Sequence, residues 1–314
     1  MDLLCNQQSR GLTHELIRVL FCIFSSLSYG SQGGAIYISS STTTFNIDSS
    51  LFCAISSSAE GGAIYFNGKS SYITRSCGFE CTSAAWGNFF YFLHSKSSLQ
   101  DFDHLSFSYC SKSVLANNFG SMYSRYGNYS MKNLNSTKNM CKNYYSGFAL
   151  WDFASLDGKY ILVSQCYSSD SIVVHLHTLV EGMMSKSIIA NNTMVTSNYG
   201  IVECAWGTIG YSMILKECAF YGNNGQYLFS RYDNKGNYII TDCVIQHSGD
   251  LTKSSPILLT NNLNYLDKEY TFQYENLYTG NYECYLNQGT YTSIMSSIPK
   301  IKKAIIFYYY VSII

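Results

Sequence analysis

The pentapeptide Gly-Gly-Ala-Ile-Tyr occurs twice, at Gly33–Tyr37 and Gly61–Tyr65, and the copies are 28 residues apart. Upstream of the two copies stand Leu20-Phe21-Cys22 and Leu51-Phe52-Cys53, each followed by serines. Self-similarity at a period of about 20–50 residues marks a repeat architecture, in which each unit buries its apolar face against the next. Aligning both landmarks at once requires a three-residue length difference in the connecting loop.

Composition restricts the kind of unit. Two prolines, 29 tyrosines and abundant Ser, Asn, Gly and Thr favour strands and turns over helices. An apolar content of 46% supplies a core, and the aromatic richness argues against disorder. Net charge is zero and only 13% of residues are charged, so no basic field exists to attract nucleic acid or anionic lipid. Twelve cysteines include no Cys-x-x-Cys pair, which argues against a zinc ribbon or a thioredoxin-like redox site. Three sequons begin at Asn128, Asn135 and Asn191 and are usable only in a secreted chain.

The repeat extends by its short apolar strand. The series runs Gly34–Ile38, Gly62–Phe66, Asn88–Phe92, Ser113–Ala116, Gly147–Trp151, Ser171–His175, Gly200–Cys204, Gln226–Phe229, Pro256–Leu259 and Asn281–Cys284. A second strand precedes each, usually ending in a cysteine, as at Cys22, Cys53, Cys77, Cys81, Cys110, Cys141, Cys166, Cys218 and Cys243. Stacked coils about 4.8 Å apart place such cysteines in one inward column of small apolar side chains, expected as free thiols. Asn-Gly hairpin signals are scarce apart from Asn67-Gly68. The expected fold is all-β: a right-handed parallel β-helix of about ten coils.

The ends of a solenoid need covers. Thr13–Leu20, with a threonine N-cap and Leu16 and Leu20 four apart, predicts a short N-terminal capping helix. Residues 1–19 form the cap on this reading, 20–290 the repeats, and 291–314 a C-terminal cap or truncated hydrophobic tail. Val19–Leu27 resembles a leader's apolar stretch, but the repeat makes it the first coil. Ala304–Ile314, eleven residues behind a basic flank, is too short to span a bilayer as a helix. Membrane association is left open.

Candidate chemistry is sparse. Tyr37, Tyr65 and Tyr91 share a column one residue off the core-facing positions, a ladder that could bind sugar rings or a protein, or simply brace the sheet. Asp101 and Asp103 share one strand face, as do His175 and His177, but the repeat puts the two pairs on different walls. His175 and Cys204 fall in one expected column with Ile38, Phe66, Phe92 and Trp151, which points to a buried histidine rather than a Cys/His dyad. Glu217 stacks over Asp242, a carboxylate pair that alone is more often a solvated face than a calcium site. No cofactor, metal site or catalytic residue is assigned.

The chain resembles the polymorphic outer-membrane protein repeat, in which Gly-Gly-Ala-Ile alternates with Phe-x-x-Asn. Gly33–Ile36, Gly61–Ile64 and Phe220–Asn223 match in full, with degenerate versions at Phe52–Ile55, Phe79–Thr82 and Phe107–Cys110. The resemblance implies a right-handed β-helix with a surface-exposed, adhesin-like role. The chain departs from the family in lacking room for a C-terminal β-barrel and in lacking a convincing leader. The expectation is a non-enzymatic protein binding a protein or glycan along its faces, at or near a cell surface. The alternative is a carbohydrate-active β-helix enzyme, a lyase or glycoside hydrolase.

Overall fold

In a computed structural model, residues 15–111, 120–169, 172–195, 198–205, 211–231, 237–253 and 257–264 are described. They form a right-handed parallel β-solenoid and contain no helix. Strand spacing of about 4.8 Å makes the stack roughly 40 Å long.

One coil shows the plan. Leu16–Leu20 lies on face 1, Ile23–Ser25 on face 2, Ser28–Tyr29 forms a bridge, and Ile36–Ser39 lies on face 3. The chain then enters the next coil at Thr44–Asp48, directly over Leu16–Leu20. Faces 1 and 2 belong to one 17-stranded sheet, face 3 is a nine-stranded sheet, and the bridges make two three-stranded sheets. Side chains alternate in and out along each strand. Thus Phe45 and Ile47 enter the core while Thr44, Asn46 and Asp48 face outward.

Corners are made by single residues in the left-handed conformation. Face 1 ends in a column at Phe21, Ser49, Arg75, His104, Asn133, Tyr160, Lys186, Glu217, Asp242 and Asn261. Face 2 ends in a second column at Ser26, Ala54, Glu80, Tyr109, Lys138, Gln165, Asn191 and Gly222. Only one of these residues is glycine, although the conformation costs any other residue about 1–2 kcal/mol. The stacking partner offsets that cost. The amide of each bend bonds to the coil above, as in Phe21 N to Asp48 O (3.0 Å) and Ser26 N to Cys53 O (3.0 Å).

The residue after each bend points inward and explains two motifs. After the second bend the column holds Cys81, Cys110, Asn139, Cys166, Asn192 and Asn223. Asn side chains there accept a backbone amide from the neighbouring coil: Asn139 from Cys110 (2.8 Å), Asn192 from Cys166 (2.9 Å), Asn223 from Asn192 (3.1 Å). The Phe-x-x-Asn pattern is therefore an inward Phe on face 2, two residues that turn the corner, and an inward amide that satisfies the turn. Phe24, Phe52, Phe107 and Phe220 share that face-2 column, whereas Gly78 stands there in place of Phe79.

The cysteines do not form one column. Cys22, Cys218 and Cys243 follow the first bend, while Cys81, Cys110 and Cys166 follow the second. Cys53 lies on face 2, Cys204 on face 3, and Cys141 on a bridge. All ten described cysteines are free thiols, and all but Cys77 are buried. A small apolar side chain suits either tight inward corner, which is why cysteine recurs at two places per coil.

The core runs unbroken along the axis, rich in phenylalanine in the early coils (Phe45, Phe52, Phe66, Phe89, Phe90, Phe92). Each such ring contributes about 1.5–3 kcal/mol by burial. Polar side chains also lie within it, as where His94 Nε2 meets Ser71 Oγ at 2.9 Å and Ser71 Oγ donates to Gln100 Oε1 at 2.9 Å.

Several expectations change. Leu16–Leu20 is a strand, not part of a capping helix, because Ile17 and Val19 alternate inward over Phe45 and Ile47. The period of two outweighs the Leu16–Leu20 spacing of four. Leu20-Phe21-Cys22 is not equivalent to Leu51-Phe52-Cys53; Ile23-Phe24-Ser25 is, which removes the three-residue discrepancy. Val19–Leu27 does belong to the first coil. Ile257–Thr260 lies on face 1 and opens the next coil, and the face-3 strand of the coil before it is Asp250–Thr252. The face-3 strand of the fourth coil is Met122–Arg125, while Ser113–Ala116 lies outside the described residues. Residues 1–14, Asn281–Cys284 and the C-terminal cap or tail at 291–314 also lie outside them.

Candidate functional site

The Gly-Gly pair sets face 3 in place. Gly33, Gly61 and Gly87 adopt φ of +66°, +68° and +72°, reversing the chain before each strand. Gly34 and Gly62 lie so close to the next coil that a Cβ on Gly62 would sit 2.5 Å from Thr82 O. The following strand then stacks in register: Ile36 over Ile64 and Phe90, Tyr37 over Tyr65 and Tyr91, Ile38 over Phe66 and Phe92. The isoleucine and phenylalanine columns face inward and the tyrosine column outward.

All three expected tyrosines therefore meet, and the ladder gains a fourth rung, Tyr123. Ring centroids are 5.2 Å apart for Tyr37–Tyr65, 5.6 Å for Tyr65–Tyr91 and 4.9 Å for Tyr91–Tyr123. The interplanar angles are 18°, 17° and 9°, so the rings are stacked. Each ring covers the face of the next, so edges and hydroxyls, rather than open ring faces, line the outer wall. Tyr37 and Tyr91 are half-buried, whereas Tyr65 and Tyr123 are each 7% exposed. Burial, reinforced by neighbouring phenols, pushes the Tyr65 and Tyr123 hydroxyls up and that of Tyr91 to about 12. Those three hydroxyls stay protonated at physiological pH.

Sequence reasoning missed Tyr123 because it placed that coil's strand at Ser113–Ala116. The alternation Met122-Tyr123-Ser124-Arg125 after Gly120 carried the signal. Charge gathers only at the edges of the strip. Glu60 accepts from Gln32 Nε2 (2.9 Å) beside Tyr65, and Arg125 pairs with Asp152 (2.6 Å) while lying 4.6 Å from the Tyr126 ring.

The ladder stops at Ala149, which follows Tyr123 in the column. The rings of Tyr145 and Trp151 pack around this small residue, and both also lie against His175, at 4.6 and 4.7 Å. Trp86 adds an aromatic flank, 5.1 Å from Tyr123 and 5.2 Å from Tyr144.

His175 is not in the column of Cys204. Its partner is Glu203, Nδ1 to Oε2 at 3.0 Å, and both side chains are 3% exposed. Leu176 is the residue in register with Cys204, and Trp151 stands outside the Ile38–Phe66–Phe92 column. His175 is thus the buried, bonded histidine expected, but the column shared with Cys204 fails, because a one-residue offset in a strand sends the two side chains to opposite faces. His177 is in register with Ala205 and its Nδ1 lies 3.2 Å from Asp152 Oδ1. Ser230 follows Glu203 in the column, giving the order His175, Glu203, Ser230. A serine beside a carboxylate rather than beside the imidazole lacks the geometry of an activated nucleophile.

The other polar candidates stay apart. Asp101 and Asp103 face outward on face 1, where Asp103 meets His104 Nδ1 (2.8 Å) and Asn133 Nδ2 (2.9 Å). Glu217 and Asp242 do stack at the first bend, but Glu217 lies between Lys216 (3.5 Å) and Lys186 (3.9 Å). Among the described residues no three His, Cys, Asp or Glu side chains gather as a metal site would.

The fold and the strip together define a class: a parallel β-solenoid with an aromatic outer wall. Compared with protein-family models, curated proteins and solved structures, the chain matches none, so the class stands on its own geometry.

Proposed function

We propose that this solenoid is a non-enzymatic, adhesin-like binding or structural protein that holds a glycan or protein partner along face 3. The tyrosine ladder carries this reading: four phenols in a straight line repeat at the spacing of the coils themselves. A partner with its own regular repeat, such as an extended glycan or a strand-like protein segment, meets the half-buried rings of Tyr37 and Tyr91 on alternate coils. Affinity is then spread along the wall rather than concentrated in a pocket, as in other solenoids. Tyrosine suits such contacts because it offers large amphipathic area at low conformational cost.

The resemblance of the Gly-Gly-Ala-Ile copies to surface-protein repeats supports a place at or near the cell surface. The enzymatic alternative draws less support. The acidic side chains of face 1 and the His175–Glu203 pair of face 3 lie on different walls, and the pair is buried. The test is an array of glycans and extracellular proteins probed with the full chain and with a Tyr37→Ser/Tyr91→Ser variant. Binding that the variant loses while its far-UV circular dichroism is unchanged supports the proposal. Equal binding by both chains refutes the assignment to face 3, and turnover of an arrayed glycan refutes the non-enzymatic reading.

A further inference from the structure

We propose that the tyrosine ladder is a site of oxidative cross-linking, in which hydrogen peroxide and a haem peroxidase join tyrosines on neighbouring coils into dityrosine. This inference does not depend on the partner proposed above, since it needs only the stacking of the rings.

Three observations carry it. The phenols of Tyr37, Tyr65, Tyr91 and Tyr123 are in register on consecutive coils, at centroid separations of 4.9–5.6 Å and within 18° of parallel. Like carbons of adjacent rings therefore face one another across the stack, and coupling requires the two rings to rotate about their side-chain bonds and close together. Tyr37 and Tyr91 are half-buried and so partly open to an external oxidant, with Tyr65 stacked between them. Gln32, which donates to Glu60 (2.9 Å), also bonds the Tyr65 hydroxyl, a contact that favours loss of the phenolic proton.

The chemistry balances without any group held by the protein. Each of two phenols loses one electron and its hydroxyl proton, giving two phenoxyl radicals. Their spin density at the ortho carbons forms one carbon–carbon bond. Each coupled ring then loses its ortho hydrogen as a proton and regains a proton on oxygen, restoring two phenols. The net change removes two hydrogens from the tyrosine pair and reduces one hydrogen peroxide to two waters. The result is a covalent tie between coils that otherwise hold together by hydrogen bonds and packing.

The chain has 29 tyrosines, so the experiment must show where coupling occurs. Full-length protein is treated with horseradish peroxidase and hydrogen peroxide, separated under denaturing conditions, and the monomer band is read for dityrosine fluorescence and mapped by tandem mass spectrometry. The expected result is monomer-associated dityrosine, with cross-links joining 37 to 65, 65 to 91, or 91 to 123. The variant Tyr37→Phe/Tyr65→Phe/Tyr91→Phe/Tyr123→Phe keeps the rings without phenols and should lose most of that fluorescence. Retention of the wild-type yield in this variant overturns the proposal. So do cross-links that join ladder tyrosines to residues elsewhere, or only oligomeric products. Should the fourfold variant misfold, Tyr91→Phe alone decides: it must abolish the 65–91 and 91–123 links and keep 37–65.

Discussion

Replacing Gly62 by alanine strikes the contact on which coil stacking depends. The new Cβ would overlap the carbonyl oxygen of Asn88 and lie 2.5 Å from that of Thr82, both backbone atoms of the next coil. Neither can swing aside as a flexible side chain would. Relief requires the two coils to part, which stretches Gly62 N to Gly87 O (2.8 Å) and Ala63 N to Phe89 O (2.9 Å). Leaving two buried pairs unsatisfied costs about 1–3 kcal/mol each, and overpacking adds about 1–3 kcal/mol. The sum is a loss on the order of 5 kcal/mol. Gly30 supplies the control, because a Cβ there meets nothing within 4 Å. Gly30→Ala should stay within about 0.5 kcal/mol of the parent, as surface changes do. Urea unfolding followed by far-UV circular dichroism measures both variants. Solenoids can unravel in parts, so hydrogen exchange at the donor amides of Gly62 and Ala63 accompanies it. Equal stability of Gly62→Ala and Gly30→Ala would refute the close approach of the coils.

Other consequences test separate parts of the structure. Ala54 turns the second corner at φ 51°, so Ala54→Gly should raise stability by about 1 kcal/mol in the same urea assay. Burial lowers the His94 pKa from 6.5 to about 3, so the unfolded chain takes up the proton first. The stability His94 leaves intact above pH 6.5 is then lost as pH falls toward 3, by up to about 1.4 kcal/mol per pH unit. Urea midpoints at pH 7 and 4.5 should show this fall for the parent and a shallower one for His94→Gln; identical slopes would contradict it. Burial pushes the thiols of Cys141 and Cys166 up to about 12 and about 11, so both should resist an aromatic disulfide reagent until the chain is unfolded. Peptide mapping of the labelled sites checks this.

What the sequence shows and hides follows from where side-chain identity matters. The Gly-Gly-Ala-Ile-Tyr copies are legible because each residue type is demanded: glycine for the reversed φ, glycine again for the close approach, then inward and outward side chains in alternation. The two bend columns are invisible, because Phe21, Arg75, His104 and Tyr160 share a conformation and no chemistry. Stacking imposes that conformation, and their side chains point away from the core. The cysteines misled for the same reason, since two different corners accept the same small side chain. The His175–Glu203 pair was lost to a register error of one residue, which reverses every side chain in a strand. Asp250-Leu251-Thr252 could not be read as a strand, being short, polar at both ends and without a glycine pair before it.

The claim beneath both the fold and the binding wall is that consecutive coils lie in register, with the tyrosines directly over one another. A double-mutant cycle on Tyr65 and Tyr91, with alanine at each and at both, measures it through unfolding free energies. Stacked rings on adjacent coils should couple by about 0.5–1.5 kcal/mol. Tyr37 and Tyr123, three coils apart and with no ring in common, should add independently within about 0.5 kcal/mol. Additivity for Tyr65 and Tyr91, or coupling between Tyr37 and Tyr123 of equal size, would contradict the register.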